Sequence, residues 1–183
     1  MPGLIAAAVL MLAPGAGDAA SATATPGARV SVSATPAPEA ARTGTTMTAA
    51  TEARHARGTF DVTITPVQPG ADAAPDAPGR MTLSKTFHGD LTGTGVGEML
   101  ATMAGGNSGA YVAMERVTGA LDGREGTFAL VHRGLMDQGA QDLTITVVPG
   151  SGTGELTGLT GVFHLTIEGG EHRYDLEYSL PEG

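Results

Sequence analysis

From Gly58 onward, the chain alternates apolar and polar residues with a period of two. The alternating runs are 60–65, 81–88, 142–147, 163–168 and 173–178. Such alternation is typical of strands that bury one face and expose the other, and no segment of useful length repeats with the helical period. The pattern predicts an all-β fold with an antiparallel sheet over residues 58–183.

Turn residues predict how these strands pair. A hairpin turn at Asp122-Gly123 pairs Val117 with Phe128, which places two apolar side chains on the same face. Turns at Gly169-Gly170 and Gln138-Gly139 bring apolar positions together in the same way. About eight strands in meander order follow, enough to close a small antiparallel β-barrel, with an open sandwich as the alternative.

Two connections are less regular. The glycine-rich stretch 92–97 is ambiguous as a turn, so the facing of Glu98 and Met99 is left open. The stretch from Gln68 to Gly79 contains three prolines and predicts a long loop at one rim of the barrel.

The first fifty-seven residues differ in composition, since all seven aromatic residues lie at Phe60 or later. An apolar run over 4–13 is followed by Ala20-Ser21-Ala22, which predicts a signal peptide over 1–22, although no basic residue precedes the run. The Ala/Thr/Pro-rich stretch 23–57 predicts a disordered linker. We therefore expect a secreted or cell-envelope protein, or a cytoplasmic one if the start codon is misassigned.

The formal net charge of −9 argues against a nucleic-acid partner, and the apolar run is too short to span a membrane, so no membrane insertion of the mature domain is expected. The chain has no Cys, which excludes disulfides and thiolate chemistry. Its five His show no metal-binding spacing, so we expect no metal and no cofactor. The Gly-rich segment 149–154 lacks the ending of a phosphate-binding loop.

Three polar residues interrupt the apolar face: Lys85, Glu115 and His132. Lys85 is the only Lys of the chain, and the predicted hairpin makes His132 the diagonal cross-strand neighbour of Glu115. Burying a lone charge costs several kcal/mol, so these groups need partners or shifted pKa values. One interpretation is a structural ion pair with a core histidine. The other is an acid–base cluster in a ligand cavity, in which Glu115 or His132 moves a proton and Lys85 stabilises negative charge.

Three segments, 85–91, 111–119 and 147–156, resemble those of an uncharacterised bacterial family of unknown function that is placed with the allene-oxide-cyclase-like barrels. The glycine-rich stretch 152–161 is similar, more distantly, to a loop in allene oxide cyclases and plant dirigent proteins. The resemblance implies an eight-stranded, calycin-like barrel with an apolar lumen, in a superfamily that often forms oligomers. Its characterised relatives steer the cyclisation of bound hydrophobic molecules, but no catalytic residue carries over to this sequence.

We expect the barrel to bind an apolar small molecule in its lumen, with cyclisation or isomerisation by acid–base assistance as the catalytic version of that function. The candidate catalytic residues are Lys85, Glu115 and His132. The candidate ligand-binding residues are Phe60, Leu83, Phe87, Tyr111, Phe128 and Tyr174. The alternatives are a non-catalytic, lipocalin-like carrier and a structural homo-oligomer whose lumen is filled by its own side chains.

Overall fold

Eight antiparallel strands form a closed barrel in meander order. A computed structural model describes residues 53–105 and 107–181, and β8 pairs with β1 to complete the ring. The strands are β1 (Arg54–Val67), β2 (Gly79–Gly89), β3 (Leu91–Gly105), β4 (Ser108–Leu121), β5 (Arg124–Asp137), β6 (Ala140–Val147), β7 (Thr160–Glu168) and β8 (Glu171–Ser179). This confirms the predicted barrel and excludes the open sandwich. The predicted signal peptide and nearly all of the predicted linker lie outside the described residues.

The registers predicted from the three turns are confirmed. Val117 lies opposite Phe128 across the first hairpin, and the other two hairpins pair as their turn residues require. Asp122 and Gly123 have φ angles of 48° and 78°, the left-handed conformation that a two-residue hairpin turn uses to match the twist of its strands. Within the described residues, no helix is long and apolar enough to cross a membrane.

The stretch 92–97, which the sequence left ambiguous, contains no turn. The chain reverses earlier, at Asp90, and β3 runs through the whole stretch. Glycines at alternate positions of a strand leave space on one of its faces. In β3 this is the face that points into the barrel, and the space lies at Gly95. Glu98 consequently faces solvent, and Met99 faces the core.

The start of β1 differs from the sequence expectation, and the barrel wall has one weakly paired seam. β1 begins at Arg54, four residues before the expected domain boundary, because the small residue Ala56 is buried opposite Leu176 and extends the strand without a large apolar side chain. The seam between β6 and β7 is held by a single ladder pair, Thr146 with Val162. The other neighbouring strands share at least seven such pairs.

One end of the barrel, which we call the sealed end, is closed by leucines from five different segments of the chain. They are Leu91, Leu121, Leu156, Leu159 and Leu180, and each is 2% exposed or less. A short 3₁₀ helix, Gly154–Leu156, lies over this end in the connection between β6 and β7. The opposite end, which we call the open end, carries the 68–78 loop and the three hairpin turns that follow β3, β5 and β7.

Tyr174 ties the sealed end together. Its hydroxyl accepts a hydrogen bond from the backbone N–H of Leu91 at 2.8 Å and lies 3.2 Å from the carbonyl oxygens of His88 and Leu91. A buried backbone N–H that loses its partner costs free energy comparable to a lost hydrogen bond.

Tyr174→Phe keeps the ring and removes these contacts, so the free energy of unfolding should fall by about 1–3 kcal/mol. Urea unfolding followed by far-ultraviolet circular dichroism measures the change. Thr86→Val, which removes an exposed hydroxyl on β2, is the matched control and should change stability little. Equal stability of Tyr174→Phe and the parent would show that the hydroxyl is dispensable.

Candidate functional site

Lys85, Glu115 and His132 meet at mid-height inside the barrel. Lys85 Nζ lies 2.7 Å from Glu115 Oε2, and His132 Nε2 lies 3.0 Å from the same oxygen. Their side chains are 6%, 0% and 6% exposed, respectively. They come from three strands, β2, β4 and β5, and form what we call the lumen cluster.

Glycine in β3 makes the lumen cluster possible. Lys85 and Glu115 lie on strands separated by β3, so about 10 Å of sheet divides their backbones. The two side chains bridge that distance by crossing over Gly95, where a Cβ atom would overlap Glu115 Oε1. Gly95 also lies directly opposite Lys85 in the β2–β3 ladder. Any side chain at position 95 would therefore occupy the space of the carboxylate.

Aromatic rings cover the cationic side of the cluster. Lys85 Nζ lies 4.7 Å from the ring centre of Phe60, 5.6 Å from that of Phe87 and 5.7 Å from that of Phe163. The faces of aromatic rings attract cations, more strongly where water is excluded. Tyr174 stacks on Phe163 with 5.3 Å between ring centres, which continues the aromatic layer toward the sealed end. The ammonium is thus held by one carboxylate and a set of rings.

The electrostatics of the cluster favour an ionised Glu115 beside a neutral His132. Burial acts to raise the pKa of Glu115, but the contacts with His132 and the positive charge of Lys85 outweigh burial and leave that pKa below its usual value. Burial lowers the pKa of His132, and Lys85 lowers it further, against the opposing effect of Glu115. Near neutral pH, His132 is therefore a neutral imidazole in contact with a carboxylate.

Two buried atoms of the cluster make no hydrogen bond. Glu115 Oε1 lacks a partner, and His132 Nε2, despite its 3.0 Å distance to Glu115, is not oriented for a directed hydrogen bond. Buried polar groups are nearly always hydrogen-bonded, so each of these two atoms calls for an explanation.

The predicted ligand-binding residues divide between the two halves of the lumen. Phe60, Phe87, Phe128 and Tyr174 belong to the larger core cluster, on the side of the sealed end. Leu83 and Tyr111 lie with Met81, Met99, Ala101 and Ala113 in a second, smaller cluster toward the open end. The lumen cluster lies between these two groups.

A small cavity of about 30 Å³ opens beside Tyr111 at the open end. It is bordered by Gly134, Met136 and Leu143, and it is large enough to hold a water molecule. The Tyr111 ring packs over Gly134, where a Cβ atom would overlap it. Burial raises the pKa of Tyr111 to about 12, so its hydroxyl stays protonated.

Sequence reasoning missed three residues near the cluster: Phe163, Met99 and His172. Phe163 alternates correctly in the sequence, but its nearness to Lys85 depends on the closure of β8 onto β1, which no turn residue predicts. Met99 could not be assigned to either face from the sequence, because the glycines of 92–97 make the path of the chain before it ambiguous. His172 lies against Phe60 with 5.0 Å between ring centres, and its pKa is lowered by partial burial and by Lys85.

These features define a class: a small closed meander barrel with a charged cluster at mid-height in an otherwise apolar lumen. Among the described residues, no group of three or more His, Asp or Glu side chains is placed to hold a metal ion.

The chain belongs to the family described as "Protein of unknown function (DUF3224)", whose model matches residues 56–178. The family part of the resemblance seen in the sequence is thereby confirmed.

A solved structure is also similar to this chain. It is a protein of unknown function from the DUF3224 family of Shewanella oneidensis MR-1, with 42% sequence identity and a TM-score of 0.66. The match covers 72% of this chain and 100% of that chain. No curated protein matches.

The first prediction from the site concerns the ion pair. Lys85→Met leaves the Glu115 carboxylate buried without its cation, which should lower the free energy of unfolding by about 3–5 kcal/mol. The double variant Lys85→Met/Glu115→Gln removes both charges and should recover much of that loss. Urea unfolding of the parent, both single variants and the double variant measures the coupling. Additive effects would mean that the two charges do not stabilise each other.

The second prediction concerns acid stability. Because the folded pKa of His132 is depressed below 6.5, the unfolded chain takes up a proton first as the pH falls, and stability is lost below about pH 6.5. His172 acts with the same sign, whereas Glu115 contributes in a separate window below about pH 4.5. His132→Asn should therefore reduce the loss of stability between about pH 7 and pH 5.5.

Urea unfolding at both pH values checks this expectation. His164→Asn is the matched control, because His164 is an exposed histidine on β7. A parent-like slope in His132→Asn would show that His132 is protonated as easily in the folded chain as in the unfolded one.

Proposed function

We propose that the barrel binds an apolar small molecule in the open half of its lumen, with the polar group of that molecule on the lumen cluster. The observation that carries the proposal is the convergence of Lys85, Glu115 and His132 on one point while two buried polar atoms lack hydrogen bonds. A purely structural ion pair does not require a third ionisable group with unmet hydrogen-bonding capacity.

The chemistry of the cluster favours a carbonyl group on the ligand. The charges of Lys85 and Glu115 cancel and His132 is neutral, so the cluster as a whole has no net charge with which to attract an ionised ligand. The Lys85 ammonium has three N–H donors, and one is directed at Glu115. A ketone or aldehyde oxygen could accept a second, with the apolar remainder of the ligand toward the open end.

The open half can make room for such a molecule. Its interior side chains include Met81 and Met99, which are flexible and adapt to the shape of a bound partner. Ala101 and Ala113 add little bulk to the same region. The sealed half is already filled, since the rings of Phe60, Phe87, Phe163 and Tyr174 pack with 5.3 to 6.2 Å between neighbouring centres.

The same geometry supports an isomerase or cyclase as the catalytic version of this function. A neutral imidazole can accept a proton from the carbon beside a carbonyl, while an ammonium stabilises the negative charge that develops on the carbonyl oxygen. His132 and Lys85 would take these two roles, with Glu115 holding both in place. The allene-oxide-cyclase-like label fits this chemistry by analogy of fold alone.

A non-catalytic carrier is the second candidate. It is favoured by the burial of His132 and Glu115, because groups that rarely meet water also exchange protons slowly with it. In a carrier the cluster would only orient the ligand. Dependence of a measured rate on the protonation of His132 would separate the enzyme from the carrier.

Native mass spectrometry of the full chain purified from its host tests for a co-purified molecule. A direct binding test uses the fluorescence of N-phenyl-1-naphthylamine, an uncharged probe, displaced by 2-decanone or by decane. We expect 2-decanone to displace the probe at concentrations at least about tenfold lower than decane, because only the ketone can bond to Lys85. Equal displacement by the two would contradict a role for the cluster.

A blocking variant locates the site. Ala101→Phe places a ring inside the open half and should abolish binding of the ketone, whereas Thr102→Phe, the outward-facing neighbour on β3, should leave it intact. Circular dichroism confirms that both variants fold. Binding that survives Ala101→Phe would place the ligand elsewhere.

A further inference from the structure

The outer surface of the barrel has one apolar wall, formed by β3, β4 and β5. Its exposed apolar side chains are Val96, Leu100, Val112, Met114, Val131 and Leu135, from 37% to 58% exposed. Except for Val67 at the end of β1, the outward positions of β1, β2 and β8 carry Thr, Ser, His, Asp, Glu and Arg instead. A contiguous apolar patch with a polar surround marks an interaction surface.

Four of these residues form a diagonal band across the wall. Leu100 on β3 lies directly opposite Val112 on β4, and Met114 on β4 lies directly opposite Val131 on β5. The band therefore runs from β3 across β4 to β5, and we call it the apolar band.

Opposite charges lie on the two sides of the apolar band. Glu98 on β3 lies opposite Met114, and Arg133 on β5 lies opposite Val112. Glu98 thus lies on one side of the apolar band, and Arg133 lies on the other side. A rotation by 180° about an axis that lies along the band exchanges these two sides.

We propose that this wall is the interface between two copies of the chain, related by a twofold axis that lies along the apolar band. In that arrangement the band of each copy packs on the band of the other. Glu98 of each copy faces Arg133 of the other, so the surface is complementary to itself, as an isologous dimer requires. The strands of the two walls then cross at a large angle, one of the two common ways in which sheets pack.

Charge explains why a second copy is expected on this wall rather than elsewhere. The chain carries a net charge of −9, which opposes contact between two copies through acidic surfaces. The wall and its flanks are close to neutral: Arg80 is paired with Glu98, Arg133 is paired with Asp142, and the remaining outward charges are Arg116 against Glu125 and Asp137. Association through this wall therefore meets little repulsion.

The wall offers a broad outward surface. β3, β4 and β5 have 15, 14 and 14 residues, and about half of their side chains, roughly twenty, point outward. Where two such walls cross at a large angle, the centre of each wall, which carries the apolar band, forms the contact. β3, β4 and β5 are each paired with a neighbour on both sides within the barrel, so this wall meets a second copy through its outward face.

Sedimentation velocity of the full chain tests the proposal. At tens of micromolar protein, we expect the parent chain to sediment with twice the mass of one chain. Met114→Glu should raise the dimer dissociation constant by on the order of 100-fold, because it buries a charge at the centre of the interface. The matched control, Thr166→Glu on the polar outer face of β7, should remain a dimer. A parent chain that sediments with the mass of one chain, or a dimeric Met114→Glu, would overturn the proposal.

Mixing two charge variants tests the twofold axis. Glu98→Arg and Arg133→Glu each place like charges across the interface, so each alone should dissociate at least about tenfold more readily. In their mixture the two contacts are attractive again, and mixed dimers should form. Each variant also loses its partner within the chain, Arg80 or Asp142, but that loss is the same in the mixture. No recovery on mixing would contradict this axis.

Discussion

The contact between the Lys85 ammonium and the Glu115 carboxylate is the interaction on which the interior of this barrel depends. Two opposite charges inside an apolar lumen are tolerated only together, since each alone would carry the full cost of leaving water. Their meeting requires an empty position between them, which Gly95 supplies, and rings that face the cation, which Phe60 and Phe87 supply. The glycine-rich strand and the aromatic layer are therefore parts of one arrangement.

That arrangement divides the lumen in two. Toward the sealed end, leucines and stacked rings fill the barrel and leave a rigid hydrophobic core. Toward the open end, methionines and alanines form a separate, more adaptable group. A charged cluster at the boundary has a rigid support on one side and deformable side chains on the other, and this asymmetry underlies the proposed ligand site.

Much of this fold could be predicted because its hairpins are locally encoded. Asp122-Gly123 and Gly169-Gly170 determine both the turn and the pairing of the strands beside them, so the neighbourhood of Glu115 and His132 was readable from the sequence. Alternation in the sequence placed Lys85 on the same face, but its direct contact with Glu115 was not readable, because that contact crosses β3. In a sequence, several glycines close together suggest a turn. Recognising them as part of a strand requires knowing which side chains pack over them, and those side chains come from other strands.

The closure of the ring could not be read residue by residue either. β1 and β8 lie at opposite ends of the domain in sequence, and neither strand carries a local signal for pairing with the other.

The burial of the chain's only lysine has a practical consequence for its surface chemistry. Reagents and enzymes that modify lysine side chains find none exposed on the folded barrel, so labelling of Lys85 would report the opening of the domain.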